Sequence, residues 1–131
     1  MASGDRASSP PPPPGCGRYE VTLKKPLGLV LEENVKGEGI YCVEVVPNGA
    51  ADLDGQVRQG DQLIATSGYI YTTEQKYQDN IVRGGERLVR LATRGERFDT
   101  VMAAIRSHPG HVPVTLEFQR CGGSIDSEEN L

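Results

Sequence analysis

Short strand-like runs, separated by glycine, proline and charged turns, constrain this chain more than any other feature. Within each run, apolar and polar side chains alternate or β-branched and aromatic residues cluster, as expected for a strand with a buried face. The sequence predicts strands at 18–23, 28–33, 40–46, 62–66, 86–93 and 112–119. Such a chain favours a small, mainly β domain over a parallel sheet of βαβ units.

One late segment has the periodicity of a helix. In RFDTVMAAIRSHPG (97–110), four apolar residues recur at positions i, i+3, i+4 and i+7, which places them on one helix face. They are Phe98, Val101, Met102 and Ile105. Pro109 and Gly110 end the helix.

Two other segments are compatible with helices. A single helical turn is predicted around 50–53, after turn residues that begin at Pro47. In 72–82, Tyr77 and Ile81 form an apolar i, i+4 pair, so a helix is one interpretation of that segment.

The length of 131 residues indicates one domain with two tails. Residues 1–17 are small, polar and proline-rich, and Pro10 to Pro14 favour an extended polyproline linker or a ligand for an aromatic groove. Residues 121–131 are polar and acidic. We expect both ends to be disordered and residues 18–120, about 100 residues, to form the core.

Charge and composition exclude several classes of protein. The net charge is −4, from 14 basic and 18 acidic residues, so no nucleic-acid partner is expected. No apolar run approaches the ~20 residues of a membrane span, and the first residues lack the apolar centre of a signal peptide. The three cysteines are an odd number and do not indicate a disulfide framework, so we expect a reduced, intracellular protein.

No pattern of catalytic or metal-binding residues is present. The two histidines, His108 and His111, lie in HPGH at the helix end and are interpreted as surface residues. There is no pair of metal-binding cysteines, no HExxH, and no glycine-rich phosphate loop. The sequence therefore predicts neither an enzyme nor a cofactor or metal site.

Five arginines follow one another at spacings of four, three, four and three: Arg83, Arg87, Arg90, Arg94 and Arg97. On a continuous helix they would form a basic stripe able to meet phosphate or an anionic membrane surface. The glycines at 84, 85 and 95 oppose such a helix, and a solvated face neutralised by neighbouring glutamates is the simpler interpretation.

The stretch LKKPLGLVLEE (23–33) contains an unusual entry to a strand. Two lysines, a proline and Gly28 form a short, partly positive turn before an apolar run. Backbone amides in such a turn can hold an anion.

In their order, these motifs resemble a PDZ domain over about residues 18–120. The resemblance depends on PLGL (26–29), the P-x-G-A-A turn at 47–51, the GDxLI-A strand at 60–65 and the late helix. The order is that of the non-permuted PDZ domains of adaptors. The run GDQLIATS is similar to that of plant and algal chloroplast PDZ proteins, with a long insert after it at about 69–95.

This resemblance implies a fold and a binding mode. The fold would be α+β, mainly β with two helices: a partly open barrel or sandwich of five to six strands, with a groove between the second strand and the late helix. The C-terminal tail of a partner protein would lie in that groove as an added antiparallel strand. The carboxylate loop would be Lys24, Lys25, Pro26, Leu27, Gly28 and Leu29, and the groove would be Val30, Leu31, Phe98, Val101, Met102 and Ile105.

Three positions depart from the common pattern of the family. Phe98 stands where many members have a histidine that selects Ser or Thr, so we expect an apolar ligand residue two before the end. Pro26 replaces the first glycine of the loop, but the amides come from the next three positions. Ser67–Gly68 replaces the usual Asn-Gly.

Other functions remain compatible with the sequence. The chain would also suit a regulatory PDZ subunit of a processing protease, or a binder of anionic surfaces through the arginine-rich insert. A groove that is closed, or filled by the chain's own end EENL, is a further alternative. The expected location is intracellular, with chloroplast and cytoplasm as candidates, and the oligomeric state is left open.

Overall fold

The computed structural model describes residues 11–35, 39–71, 75–77, 80–82 and 86–122. Strands and helices follow in chain order: β1 Cys16–Leu23, β2 Leu29–Glu33, β3 Ile40–Val45, α1 Ala50–Asp54, β4 Gln62–Tyr71, β5 Gln75–Tyr77, β6 Asn80–Val82, β7 Glu86–Ala92, α2 Phe98–Arg106 and β8 Val114–Cys121. Within these ranges, no helix is long and apolar enough to cross a membrane. The tails expected to be disordered lie mostly outside the described residues.

Six of the strands form one open antiparallel sheet. Its order is β1-β8-β4-β3-β2, and β7 pairs with β4 beyond the end of β3. Among the described strands β2 pairs with β3 alone and is an edge strand of the sheet. The predicted class, mainly β with two helices, is confirmed.

The core lies between the sheet and α2. Val114, Leu116 and Phe118 alternate along β8, are fully buried, and meet Leu63 of β4, which is also fully buried. Burial of each such side chain stabilises the fold by roughly 1.5–3 kcal/mol. The predicted apolar stripe of α2 is confirmed, since Val101 and Ile105 belong to this core.

Helix α2 packs very closely on β4. A Cβ atom built on Gly68 would lie 2.9 Å from Cβ of Ala104, so only glycine allows this approach. The backbone N–H of Tyr69 donates to Ser107 Oγ at 2.8 Å, just after the helix ends. Gly68 therefore has a packing role at the contact between β4 and α2.

His108 is a structural residue, and its interpretation as a surface histidine was wrong. Its side chain is 3 % exposed. Nδ1 lies 3.0 Å from the carbonyl oxygen of Ile105 and Nε2 lies 2.8 Å from Ser67 Oγ. Since a carbonyl only accepts, Nδ1 carries a proton and donates it to Ile105, while Nε2 and Ser67 Oγ share a second hydrogen bond. The ring thus fastens the C-terminal end of α2 to β4.

Asp61, the acidic residue of the GD motif, joins three parts of the fold. Arg120 of β8 donates from Nε to Oδ1 at 2.9 Å and from Nη2 to Oδ2 at 2.7 Å. Tyr19 of β1 and the backbone N–H of Arg58 donate to Oδ2 as well. The carboxylate is 2 % exposed, so these bonds compensate its removal from water.

The same contacts shift two pKa values. Burial alone would raise the pKa of Asp61, but the hydrogen bonds from Arg120, Tyr19 and Arg58 outweigh it and lower that pKa. Burial, followed by the bond to Asp61, raises the pKa of Tyr19. Tyr19 therefore stays a donor and Asp61 stays ionised at neutral pH.

The segment 72–82 was wrongly interpreted as a helix. It contains β5 and β6, which pair as an antiparallel hairpin with Lys76 opposite Ile81. The β-branched residues of NIV favour a strand, and one i, i+4 pair is weak support for a helix.

The basic stripe of a continuous helix does not form either. Arg87 and Arg90 lie on β7, and Arg97 is the N-cap of α2. Arg90 is bound to Glu117 of β8. Arg83 lies outside the described residues.

A disulfide joins the first and last strands. Cys16 and Cys121 stand opposite each other in the β1–β8 register and are bonded across a separation of 105 residues. The expectation that the cysteines form no disulfide was wrong, because the pairing depends on the two strand ends meeting. β1 therefore begins before residue 18, the expected edge of the domain. Cys42 is free and buried.

Replacing Asp61 by Asn should lower the free energy of unfolding by about 1.5–3 kcal/mol at pH 7, because the hydrogen bonds from Arg120 would lose their charged acceptor. The pKa of Asp61 is lowered in the folded state, so its stabilising effect is present above the unfolded value of about 3.9 and is lost as pH falls through the folded pKa. Urea unfolding at several pH values measures both effects. Glu96→Gln, at an exposed glutamate, is the control; equal stability of Asp61→Asn and the control at pH 7 would contradict this role.

The disulfide determines how many cysteine thiols of the unfolded chain can react with a thiol reagent. Unfolded without reductant, each chain should show one reactive thiol, from Cys42, and after reduction all three. Cys16→Ser should expose Cys121 as a second thiol without reductant. Reduction should also lower the free energy of unfolding by about 2–4 kcal/mol. Three reactive thiols in the unreduced wild type would rule out the bond.

Candidate peptide-binding groove

A groove with a volume of about 760 Å³ runs between β2 and α2. One wall is Leu29 and Leu31 of β2, and the other is Met102 and Ile105 of α2. The turn before β2 closes one end. The walls are apolar because alternate residues of β2 and one stripe of α2 face each other here.

The turn directs two amides into the groove. The carbonyl oxygen of Leu27 accepts from the N–H of Ala51 at 3.0 Å, and that of Gly28 accepts from the N–H of Val46 at 2.9 Å. In a trans peptide plane the N–H points opposite to the carbonyl. The N–H groups of Gly28 and Leu29 therefore point away from α1 and β3, toward the groove.

Gly28 can only be glycine in this turn. Its φ is +76°, and a Cβ atom would lie 3.0 Å from the nitrogen of Ala50 and 3.1 Å from Cα of Gly49. A Cβ on Gly49 would in turn lie 3.0 Å from Cα of Gly28. The two glycines let the turn and the start of α1 touch through their backbones.

The two lysines before the turn have different environments. Lys24 is exposed. The Lys25 ammonium donates to the carbonyl oxygens of His108, at 2.6 Å, and of Arg106, at 3.3 Å, at the end of α2. Lys25 is thus bound to protein carbonyls at the mouth of the groove.

Most of the residues predicted for the site line this groove. They are Lys24, Lys25, Pro26, Leu27, Gly28, Leu29, Leu31, Met102 and Ile105. Val101 is instead fully buried in the core. Phe98 packs against the core at the start of α2, and Val30 alternates to the other face of β2, opposite Glu44.

Sequence reasoning missed one part of the lining: Val46, Asn48, Gly49 and Ala50. The P-x-G-A-A motif was noted only as a turn. Two small residues in a row, Gly49 and Ala50, were the sign that another backbone approaches there.

A second cavity, of about 360 Å³, lies away from α2, beside Pro11, Pro13 and Glu33, the last residue of β2. Its lining includes Arg18, Gln62 and Gln119. Arg18 Nε donates to Gln119 Oε1 at 3.0 Å, so Arg18 and Gln119 bind one another.

Among the described residues, no group of three His, Cys, Asp or Glu could hold a metal ion.

Comparison with known proteins identifies the same region. Residues 20–71 match the model of the PDZ domain. This match spans β1 to β4 and so includes the turn and the edge strand of the groove.

Three relatives illustrate the range of similar proteins. Tyrosine-protein phosphatase non-receptor type 13 of Homo sapiens is 31% identical over 82% of this chain and 4% of its own length. InaD-like protein of Rattus norvegicus is 40% identical over 50% of this chain and 4% of its own length. A chloroplastic protein of Arabidopsis thaliana is 38% identical over 43% of this chain and 16% of its own length.

The chain spans only a small part of each of these proteins, so the shared region is the domain and not the whole molecule. Animal and plant proteins both match, and the chloroplast protein gives only weak support to the predicted likeness to that group. PDZ domains are non-catalytic interaction modules. From the fold, the groove and these matches, this chain belongs to the PDZ domain family.

Proposed function

We propose that this chain binds the C-terminal tails of other proteins as an added strand beside β2. The observation that carries this proposal is the pair of amides at Gly28 and Leu29, held at the end of an apolar groove beside β2, which is an edge strand among the strands that the structure describes. A carboxylate at the end of an extended peptide would accept both amides, while the peptide backbone pairs with β2.

The last side chain of the tail would enter the apolar part of the groove. Leu29, Leu31, Met102 and Ile105 line that part. Burial of a Val or Leu side chain there is worth roughly 1.5–3 kcal/mol. A contact of this size suits micromolar affinity, about −8 kcal/mol.

Farther along the groove, Phe98 would face the residue two before the end of the tail. It is the first residue of α2 and is half-buried. A phenyl ring offers no hydrogen-bond acceptor, so we propose a preference for an apolar residue over Ser or Thr at that position.

Binding should depend on the free carboxylate. We expect a peptide with apolar residues at its last position and two before it to bind roughly tenfold or more weakly when its C-terminus is amidated, because charged hydrogen bonds are worth about 1.5–3 kcal/mol. Fluorescence anisotropy with the purified protein measures this. Equal affinity for the two forms would refute carboxylate capture.

A charge placed in the groove should also weaken binding. Met102→Glu puts a carboxylate beside the last side chain and the terminal carboxylate of the tail, and should weaken binding at least tenfold, about 1.4 kcal/mol. Ala103→Glu changes the net charge equally on the exposed face of the same helix and is the matched control. If both variants lose the same affinity, the effect is a general one of charge and the groove is not the site.

A further inference from the structure

Lys25 makes a contact that the proposed binding mode does not use. Its ammonium joins the turn before β2 to the C-terminal end of α2 through the carbonyls of His108 and Arg106. The last carbonyls of a helix have no partner within the helix, and a cation placed there is favourable. One side chain therefore crosses from the anion-binding end of the groove to its other wall.

Both ends of this link are firmly held. The turn is fixed to β3 and α1 through the carbonyls of Gly28 and Leu27. The end of α2 is fixed to β4 by Ser107, through the N–H of Tyr69, and by His108, through Ser67. Each anchor is held to a different part of the fold and the Lys25 side chain joins the two directly, so its length limits how far apart they can lie.

We propose that Lys25 is a positioning residue that sets the width of the groove at its anion-binding end. Its ammonium is bound to protein carbonyls, so it acts on a ligand through the spacing of the turn and α2 and not as the ion-pair partner of the carboxylate. For its effect on ligands this inference rests on the proposed function. The link itself is independent of any ligand.

Hydrogen exchange of the free protein tests the link alone. Lys25→Met keeps an apolar stem and removes the ammonium, so the amides of Ser107 and His108, which bond to Ala104 and Ile105, should exchange roughly tenfold faster. Lys24→Met, at the exposed neighbour, should leave them unchanged. Lys25→Arg can still donate to both carbonyls and should restore most of the protection. Unchanged exchange in Lys25→Met would overturn the inference.

A double-mutant cycle separates positioning from direct contact. Lys25→Met should weaken binding by the same factor, roughly three- to tenfold, for a peptide with a free C-terminus and for its amidated form, because the two changes act independently. Lys25→Met should also bring the ratio of the affinities for peptides ending in Val and in Phe closer to one. A loss confined to the free carboxylate would show a direct ion pair and overturn the inference.

The two proposals fail in different ways. If the wild type binds no free-terminus peptide, the proposed function is wrong, yet the exchange experiment still decides whether Lys25 holds the end of α2. If peptides bind as proposed but exchange does not change, only the role of Lys25 is wrong.

Discussion

The close approach of two backbones, at Gly28 and Gly49, is the constraint on which the candidate site depends. Any side chain at either position would force the turn away from α1. Because the turn lies against α1, the carbonyls of Leu27 and Gly28 find partners there and in β3. The amides of Gly28 and Leu29 are then left to face the groove, so a packing contact on one side of the loop creates a polar site on the other.

Polar contacts hold the remaining walls in place. Asp61 ties β1, the start of β4 and β8 together, and it stays ionised because its donors outweigh the cost of burial. His108 and Ser107 fix α2 to β4 at the far side of the groove. These directional bonds add to the apolar packing of α2 in holding it at one position on the sheet.

The sequence predicted much of the fold because the spacing of apolar residues and the composition of each segment depend only on residues that are close together in the chain. The alternation in 112–119 and the stripe of α2 were sufficient for β8 and the groove helix. What it could not give were partners distant in the chain: Cys16 with Cys121, His108 with Ser67, and Gly28 with Gly49. The helix predicted for 72–82 was wrong for a different reason. Tyr77 and Ile81 are compatible with either a helix or a strand, and the pairing of β5 with β6 selects the strand.

The bonded ends of β1 and β8 also fix where the neighbouring chain leaves the domain. Cys16 and Cys121 lie together on the first two strands of the order, β1 and β8, whereas β2 is the last. In that order β1 is four places and β8 three places from β2. A domain whose first and last strands are joined side by side can be linked to a larger protein at both ends without those strands being pulled apart.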